Sequence, residues 1–154
     1  MLTLEINGAS LKPHQTNYHE VDFGNQDNME NAPNGPTALN IENNVKVEEL
    51  EGELGKYDAV IVNFPAFNDG RAYSQARQLR ERFNFKGRIL ARGEVLADQI
   101  LFMNRCGIDI VEISGNDTSA FENALTEFSN FYQPSADDIK PIWALREEQK
   151  RAAA

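Results

Sequence analysis

Short apolar runs, rich in β-branched side chains, mark the centre of the chain as a set of buried strands. Val60, Ile61 and Val62 form the clearest run, which Pro65 ends. A run without polar alternation is typical of a strand that is buried on both faces of a sheet. The sequence predicts such strands over residues 59–64, 88–91 and 108–113.

Each predicted strand is followed by a segment in which apolar residues recur at helical spacing. The first of these helices is expected to begin near Asn68 or Asp69, since either side chain can cap the free backbone N–H groups. Its buried face comprises Ala72, Ala76, Leu79 and Phe83. The third helix presents Phe121, Ala124, Leu125, Phe128 and Tyr132 on one face. The predicted helices span residues 69–84, 94–105 and 118–131.

Strands that alternate with helices of this length pair in parallel through right-handed crossovers. A weaker unit precedes the three clear ones, with a short strand over residues 38–41 and a helical turn at Val47, Leu50 and Leu54. The predicted fold class is therefore α/β, with about four βα units and a parallel sheet. We expect this sheet to be half-barrel-like or to form an open three-layer structure.

Composition divides the chain into three parts. Residues 1–36 are polar and rich in asparagine, with three prolines, which indicates a loop-rich N-terminal segment. Within it, residues 1–6 alternate between apolar and polar side chains, as an edge strand does. Residues 37–143 are predicted to form a single α/β domain, and residues 144–154 a charged C-terminal tail that is helical or frayed.

The charge of the chain narrows the range of partners. Its 154 residues carry a formal net charge of −9, which argues against binding to nucleic acids or to an anionic membrane surface. No apolar run approaches the roughly 20 residues of a membrane-spanning helix, and the first residues lack the features of a signal peptide. The single cysteine, Cys106, excludes an internal disulfide and any Cys-x-x-Cys motif. We therefore expect a cytoplasmic protein.

An arginine in the first turn of the first predicted helix points most directly to a ligand. Arg71 opposes the helix dipole, whereas a bound anion would be stabilised by the free N–H groups there. Since ligands of parallel α/β folds collect at the carboxyl ends of strands, Arg92 is expected to face Arg71. Asp69 and Glu94 would orient the two guanidinium groups, and Tyr73 would donate a hydrogen bond. The predicted anion is sulfite, sulfate or phosphate. Alternatively, the four charged side chains form a structural salt-bridge network.

Other cationic and aromatic side chains are candidates for partner binding. Arg77, Arg80 and Arg82 lie on the first predicted helix together with Glu81, as is typical of a solvated helix face. Alternatively, Arg77 and Arg80 dock on an acidic partner. Trp143 ends an apolar Pro-Ile-Trp segment that is expected to dock on the domain or on a partner.

The second predicted helix ends in a group of three residues with different expected roles. Arg105 is placed to bind the last backbone carbonyls of the helix, and Gly107 is a natural C-terminal stop. Cys106 is predicted to be buried and unreactive, because apolar surroundings disfavour the thiolate.

The central part of the chain resembles a known bacterial family. Its longest motif is Phe64-Pro65-x-Phe67-x-Asp69-Gly70-Arg71-x-Tyr73-Ser74-x-Ala76-Arg77-x-Leu79-Arg80-Glu81-Arg82. Shorter matching motifs are Arg92-Gly93, Asp98-Gln99, Arg105-Cys106-Gly107, Phe128-Ser129 and Tyr132-Gln133. Over roughly residues 37–143, these motifs are similar to the core of a family of unknown function (domain of unknown function 934). Its members are usually labelled "oxidoreductase probably involved in sulfite reduction".

The resemblance implies a pathway rather than a reaction. Members of the family tend to be encoded beside the sulfite reductase haemoprotein, which is therefore the implied partner. Three positions depart from the family pattern: Ala72 stands in place of a glycine, Glu94 in place of an aspartate and Ala97 in place of an arginine.

The residues themselves give no sign of a redox cofactor. No Gly-x-Gly-x-x-Gly motif follows a strand, and a lone cysteine cannot ligate an iron–sulfur cluster of the usual kind. His14 and His19 lie in the polar N-terminal segment, where we expect them to face solvent. The sequence therefore predicts neither a cofactor nor a metal ion.

Two functions of different classes remain open. The first is an accessory, non-catalytic protein of assimilatory sulfite reduction, which supports sulfite reductase through partner or oxyanion binding. The second is a small enzyme, or half of a dimeric barrel, that acts on a sulfur oxyanion or a phosphorylated metabolite. The first is favoured because the sequence offers no nucleophile–base pair or metal-ligand cluster. Since open half-barrels expose sheet edges, we also expect a homodimer.

Overall fold

The apolar runs form the centre of a single sheet. The computed structural model describes residues 1–15, 17–25, 34–137 and 139–153, and within these ranges the sheet has seven strands. They are β1 (Leu2–Asn7), β2 (Ser10–Pro13), β3 (His19–Asp22), β4 (Thr37–Ile41), β5 (Ala59–Phe64), β6 (Arg88–Gly93) and β7 (Ile110–Ile113). Their order across the sheet is β2-β1-β7-β6-β5-β4-β3. Strands β3 to β7 are parallel, whereas β1 runs antiparallel to both of its neighbours. The predicted α/β class is confirmed, and the sheet is open rather than closed into a barrel.

The described part of the chain also contains four α-helices. They are α1 (Arg71–Glu81), α2 (Ile100–Arg105), α3 (Ser119–Leu125) and α4 (Ile142–Ala152). Short 3-10 helices occupy Val47–Leu50, Leu54–Lys56 and Ala97–Gln99. The chain thus passes through four βα units from β4 to α3, the first with 3-10 turns in place of an α-helix. The charged tail forms most of α4, which has no buried residue.

All three predicted helices are shorter in the structure, and α1 covers Arg71–Glu81 instead of residues 69–84. Residues 94–96 are not helical, and the 3-10 helix Ala97–Gln99 leads into α2. Helix α3 ends at Leu125, where the hydroxyl of Thr126 donates to the carbonyl of Asn123 at 3.0 Å. The prediction of a helix to residue 131 is therefore wrong, and Phe128 and Tyr132 are exposed rather than buried.

The main hydrophobic core lies between one face of the sheet and helices α1, α2 and α3. From β5, this core receives Val60, Val62 and Phe64. Helix α1 packs against it through Ala72, Ala76 and Leu79, each with no exposed surface. The two alanines let the helix backbone approach the strands closely. Full burial of a side chain such as Leu79 stabilises the fold by about 1.5–3 kcal/mol.

The opposite face of the sheet is buried as well. Its apolar side chains form a second cluster of Ala38, Ala59, Ile61, Leu90 and Ile110. Tyr18, from the link between β2 and β3, packs against this cluster. The prediction that strand 59–64 is buried on both faces is thereby confirmed.

The link between β2 and β3 requires the sheet to be curved. These strands are the two outermost of the seven, so in a flat sheet they would lie about 29 Å apart. The six Cα-to-Cα steps from Pro13 to His19 span at most about 22 Å. The two edges are therefore drawn toward each other across the face on which Tyr18 packs.

The N-terminal segment is more regular than its composition indicated. Strand β1 confirms the predicted strand at residues 1–6, but it is internal, because β2 pairs with its outer side. Strands β2 and β3 lie where a loop was expected. Each has four residues and buries one apolar side chain, Leu11 or Val21, which is too short a pattern for a period of two to be visible. Residues 26–33 of the expected loop lie outside the described residues.

Two glycines allow close approaches that no other residue could make. Gly93, at the end of β6, has a φ of +108°, and a Cβ there would lie 2.2 Å from the carbonyl oxygen of Phe64. Gly107 follows α2 with a φ of +90°, as expected for a helix stop, and its Cβ would lie 2.5 Å from Cγ of Arg80.

Candidate functional site

A row of polar side chains crosses four parallel strands near their carboxyl ends. Asn40, Asn63, Arg92 and Glu112 are the penultimate residues of β4, β5, β6 and β7. Because side chains alternate along strands, all four lie on the face opposite the helices. Ligands of parallel α/β folds bind at this end of the sheet, so this polar row is a candidate site. Sequence reasoning missed it, although one polar residue in the penultimate position of successive apolar strands is a visible signal.

Arg92 is the centre of the polar row, and two carboxylates enclose it. Its Nε and Nη2 donate to Glu112 at 2.7 and 2.9 Å. Its Nη1 and Nη2 donate to Glu20 of β3, both at 2.7 Å. These bonds raise the pKa of Arg92 and lower that of Glu20. With two negative groups around one positive group, the cluster repels an oxyanion rather than attracting it.

The polar row continues through side-chain amides to the edge of the sheet. The amide nitrogen of Asn63 donates to Oδ1 of Asn40 at 2.7 Å and to the carbonyl of Ile41 at 2.9 Å. The amide nitrogen of Asn40 in turn donates to Asp22 of β3 at 2.7 Å. The row therefore ties β3 to the central strands, and its polar groups satisfy one another.

Arg71 lies in different surroundings, beside the start of α1. Its Nε and Nη2 donate to the carboxylate of Asp69 at 2.9 and 2.6 Å, and Asn43 donates to the same carboxylate at 2.7 Å. The Arg71 guanidinium holds the pKa of Asp69 at about 2. The side chain of Arg71 is 58% exposed and lines a cavity of about 300 Å³ together with Lys46 and Ser74. An anion could reach Arg71 from this cavity.

The structure does not bring the five predicted anion-binding residues together. Arg92 lies on the face opposite the helices, whereas Arg71 lies beside the helix layer, and each has its own carboxylate partners. Glu94 accepts a hydrogen bond from the backbone N–H of Phe67 at 2.9 Å. Of the alternative network of four charged side chains, only the Asp69–Arg71 pair is formed, since Arg92 pairs with Glu20 and Glu112 instead. Anion binding by Arg71 stays a prediction.

The ring of Tyr73 packs against aromatic side chains, and donation from its hydroxyl to a ligand stays a prediction. Its ring lies between those of Phe64 and Phe102, with centroid distances of 4.9 and 4.8 Å. Burial raises the pKa of its hydroxyl to about 12.

Arg80 is not part of a solvated helix face. Its Nε donates to the carbonyl of Gly107 at 3.0 Å, and its Nη1 to the carbonyls of Phe85 and Gly87 at 2.6 and 2.8 Å. Its Nη2 donates to the carboxylate of Asp109 at 2.5 Å. The interpretation of Arg80 as part of a solvated helix face is wrong, because these bonds hold it inside the domain. Partner binding by Arg80 stays a prediction.

Arg77 on α1 and Arg82 directly after it are exposed, as expected. Arg77 pairs with Glu81 one helical turn away at 2.8 Å, and Arg82 pairs with Glu48. Arg77 remains accessible to a partner.

Arg105 holds the segment that follows α3, instead of binding the carbonyls of its own helix. Its guanidinium lies 3.8 Å from the ring centroid of Phe131, and its Nε donates to Asp137 at 2.9 Å. Trp143 at the start of α4 docks on the same segment, with its Nε1 donating to the carbonyl of Tyr132 at 3.1 Å. About half of the Trp143 surface stays exposed. The predicted docking on the domain is thus observed, and partner binding by Trp143 stays a prediction.

Apolar side chains are exposed at the carboxyl end of the sheet, on the helix side. Phe67 after β5 is 58% exposed, Leu96 after β6 is 42% exposed, and Phe102 on α2 is 56% exposed. We call these three residues the apolar patch. A cavity of about 520 Å³ lies beside two of them, with Val95 and Phe121 in its wall. This combination is the second candidate site, and it suits an apolar ligand or partner.

Comparison with known proteins identifies the family. The sequence model described as "Bacterial protein of unknown function (DUF934)" matches residues 38–143, more than half of the chain. The chain belongs to this family. No curated protein matches it. The DUF934 segment contains β5 to β7, α1 to α3 and nearly all of β4. It therefore includes the apolar patch and all four residues of the polar row.

Cys106, within the DUF934 segment, is buried at the end of α2, as predicted. Burial raises the pKa of its thiol to about 11, against smaller opposing effects of Arg77 and Arg105. The thiolate is therefore scarce at neutral pH.

The N-terminal histidines, outside the DUF934 segment, are less exposed than expected. The side chain of His14 is 9% exposed, with Nδ1 at 3.7 Å from Glu5 and its ring stacked on Tyr18. The Nε2 atoms of His14 and His19 are buried and have no hydrogen-bond partner among the described residues. The expectation that His14 faces solvent is wrong, because the link between β2 and β3 folds back onto the sheet.

Two general features of the described residues bear on function. No three His, Cys, Asp or Glu side chains in this part of the chain are grouped so that they could hold a metal ion. No helix in the same ranges combines the length and the apolar character needed to cross a membrane.

Proposed function

We propose that this protein is an accessory, non-catalytic protein of assimilatory sulfite reduction that acts by binding the sulfite reductase haemoprotein. The pathway is suggested by the resemblance to family members labelled as involved in sulfite reduction. The observation that favours binding over catalysis is the apolar patch, Phe67, Leu96 and Phe102, at the end of the sheet where ligands of this fold class collect.

The backbone under the apolar patch is held firmly. The N–H of Phe67 donates to Glu94 at 2.9 Å, and its carbonyl accepts from the amide of Gln99 at 3.0 Å. An exposed aromatic side chain on a fixed backbone loses little conformational freedom when a partner covers it. Such side chains are the usual anchors of protein interfaces.

The charges around the polar row also favour binding of a protein partner over binding of an anion. Arg92 is enclosed by Glu20 and Glu112, so the cluster has an excess of negative charge and offers no attraction to sulfite. Covering the apolar patch, in contrast, removes apolar surface from water, which favours association with a protein.

Retention of purified sulfite reductase haemoprotein on the immobilised chain tests the proposal. We expect the wild type to retain the haemoprotein and Phe67→Ser to weaken retention by about tenfold or more. Phe128→Ser is the matched control, because Phe128 is 59% exposed but lies outside the apolar patch. No retention by the wild type, or equal losses in both variants, would contradict the proposal.

A second candidate function is a small enzyme that acts on a sulfur oxyanion or a phosphorylated metabolite. It is favoured by the cavity of about 300 Å³ that Arg71, Lys46 and Ser74 line. Sulfite, sulfate and phosphate would then raise the melting temperature of the wild type but not that of Arg71→Ala. Absence of any shift would leave only the accessory function.

Two further expectations belong to this proposal. A protein of assimilatory sulfite reduction would act in the cytoplasm, which fractionation of cells would test. The predicted homodimer would appear in sedimentation equilibrium as twice the mass of 17.3 kDa.

A further inference from the structure

The negative charge of the chain is concentrated in one segment. Residues 93–139 contain nine acidic residues and one basic residue, Arg105. This segment therefore accounts for a net charge of −8, out of −9 for the whole chain. It includes the loops after β6 and β7, which lie at the carboxyl end of the sheet.

Several of these carboxylates have no cationic partner. Asp109 pairs with Arg80, Glu112 with Arg92, and Asp137 with Arg105. Residue 138, the ninth acid, lies outside the described residues. No ion pair involves the other five described acids of the segment, Glu94, Asp98, Asp117, Glu122 and Glu127. Their uncompensated charge faces any partner that approaches this surface.

One of the unpaired acids lines the cavity beside the apolar patch, and two others are close in sequence to its wall residues. The wall of this cavity of about 520 Å³ includes Leu96, Ala97, Ser114 and Phe121. Glu94 is part of its wall, Asp98 directly follows the wall residue Ala97, and Asp117 lies between the wall residues Ser114 and Phe121. The cavity is thus mainly apolar, with one carboxylate in its wall and two more on the segments that supply its wall residues.

We propose that this acid-bordered cavity binds a basic, apolar segment of a partner protein. One aliphatic or aromatic side chain of the partner enters the cavity against Leu96 and Phe121. Lysine or arginine side chains on either side of it pair with Glu94, Asp98 and Asp117. The inference deepens the proposed function and rests on it in one respect, namely that the occupant is a protein.

The negative charge around the cavity favours a basic protein segment over the other molecules that an apolar cavity could bind. An anionic lipid surface or a nucleic acid would be repelled by the unpaired carboxylates. A second copy of this chain would bring the same excess of negative charge to the contact. A segment with alternating cationic and apolar side chains is complementary in both respects.

Two fluorescein-labelled peptides and the full-length chain provide the test. In one peptide a leucine is flanked on each side by two arginines, and in the other by two glutamates. The arginine peptide is expected to bind, with an affinity that falls between about 50 and 200 mM salt, whereas the glutamate peptide is not.

Three variants assign the binding to the cavity. The double variant Asp98→Asn/Asp117→Asn removes two charges, and the side-chain amide at position 117 keeps a carbonyl oxygen that can accept the Ser119 bonds of Asp117. The double variant Glu49→Gln/Glu51→Gln removes two exposed charges elsewhere. The first pair and Leu96→Ser should each weaken arginine-peptide binding by about tenfold, and the second pair by less than about twofold.

Equal losses of arginine-peptide affinity in the two double variants would reveal non-specific attraction and overturn the inference. Unchanged affinity in Leu96→Ser would also overturn it, and so would a wild type that does not bind the arginine peptide. The haemoprotein retention assay separates this failure from that of the proposed function. If Asp98→Asn/Asp117→Asn retains the haemoprotein as the wild type does, the inference fails while the proposed function stands. If the arginine peptide behaves as expected but the haemoprotein is not retained, the proposed function fails while the cavity keeps its specificity.

Discussion

Arg80 on α1 and Asp109 immediately before β7 form an ion pair at 2.5 Å that connects the helix layer to the sheet. Both groups have further bonds: Arg80 donates to three backbone carbonyls, and Asp109 accepts from the N–H of Ile89 at 2.7 Å. Burial raises the pKa of Asp109 against the opposing effect of these partners, so its charge depends on them.

Replacing Arg80 should therefore be costly. Arg80→Ala leaves Asp109 with only Arg88, at 4.0 Å, and removes the bonds to three backbone carbonyls. We therefore expect a loss of about 3 kcal/mol in the free energy of unfolding. Arg77→Ala on the same helix removes only an exposed pair with Glu81 and should cost about 0.5 kcal/mol or less. Urea denaturation measures the free energy of unfolding of both variants. Similar losses in the two would show that Arg80 does not stabilise the contact between the helix layer and the sheet.

The pair between Glu20 and Arg92 should make stability depend on acidity. Its bond to Arg92 lowers the pKa of Glu20 below its usual value of 4.5, so the folded state takes up this proton less readily than the unfolded chain. The stabilisation is complete above about pH 4.5 and is lost as the pH falls through the lowered pKa. Because the side chain of Glu20 is 43% exposed, this stabilisation amounts to about 1 kcal/mol or less.

Comparison of two variants isolates this effect. Glu20→Gln should be less stable than the wild type at pH 7 and should lose less stability between about pH 5 and 3. Glu49→Gln, at an exposed acid, should follow the wild type. Parallel stability curves for the wild type and Glu20→Gln would disprove the link.

Gly93 should tolerate no side chain. Gly93→Ala combines a left-handed φ with a Cβ placed 2.2 Å from the carbonyl oxygen of Phe64. Gly115→Ala is a matched control, because Gly115 has a φ of +90° but no atom within 4 Å of its Cβ. We expect about 1–2 kcal/mol of destabilisation for Gly115→Ala and at least about 2 kcal/mol more for Gly93→Ala. Thermal denaturation that ranks the two variants equally would contradict this interpretation.

Cys106 should react only after unfolding. Because burial raises the pKa of its thiol to about 11, little thiolate exists at pH 8. Alkylation by iodoacetamide is expected to be slower by about 100-fold or more in the native protein than in urea. Mass spectrometry follows the reaction unambiguously, since the chain has a single cysteine. A native rate within tenfold of the unfolded rate would rule out the protected thiol.

The parallel centre of the fold could be predicted because its signals are local. In β5, the predicted and observed limits coincide, since an apolar run and Pro65 define them. The end of α3 could not be predicted in this way, because Phe128 and Tyr132 continue the helical spacing beyond the point where Thr126 turns its hydroxyl to the backbone. Spacing reveals a possible face, but not whether the backbone remains helical along it.

The anion site was predicted wrongly for Arg92 because the predicted end of one strand was two residues too early. The sequence placed the end of the strand at residue 91, which left Arg92 in a loop beside Arg71. In the structure β6 continues to Gly93, and strand alternation turns Arg92 to the opposite face. Its partner Glu20 lies 72 residues away in the sequence, on β3, where the polar composition had predicted a loop. Such a distant contact has no signal in a local pattern.

The family match begins at residue 38, yet the strands that complete the sheet on both sides come before β4 in the chain. Strands β1 and β2 cover the outer side of β7, and β3 covers that of β4. Unpaired backbone along a strand is a template for the strands of other molecules. A chain that lacked residues 1–36 would present two such templates, and light scattering should then detect its self-association. The N-terminal residues, which also place Leu4, Leu11 and Val21 in the core, are thus expected to act as a barrier against aggregation of the family domain.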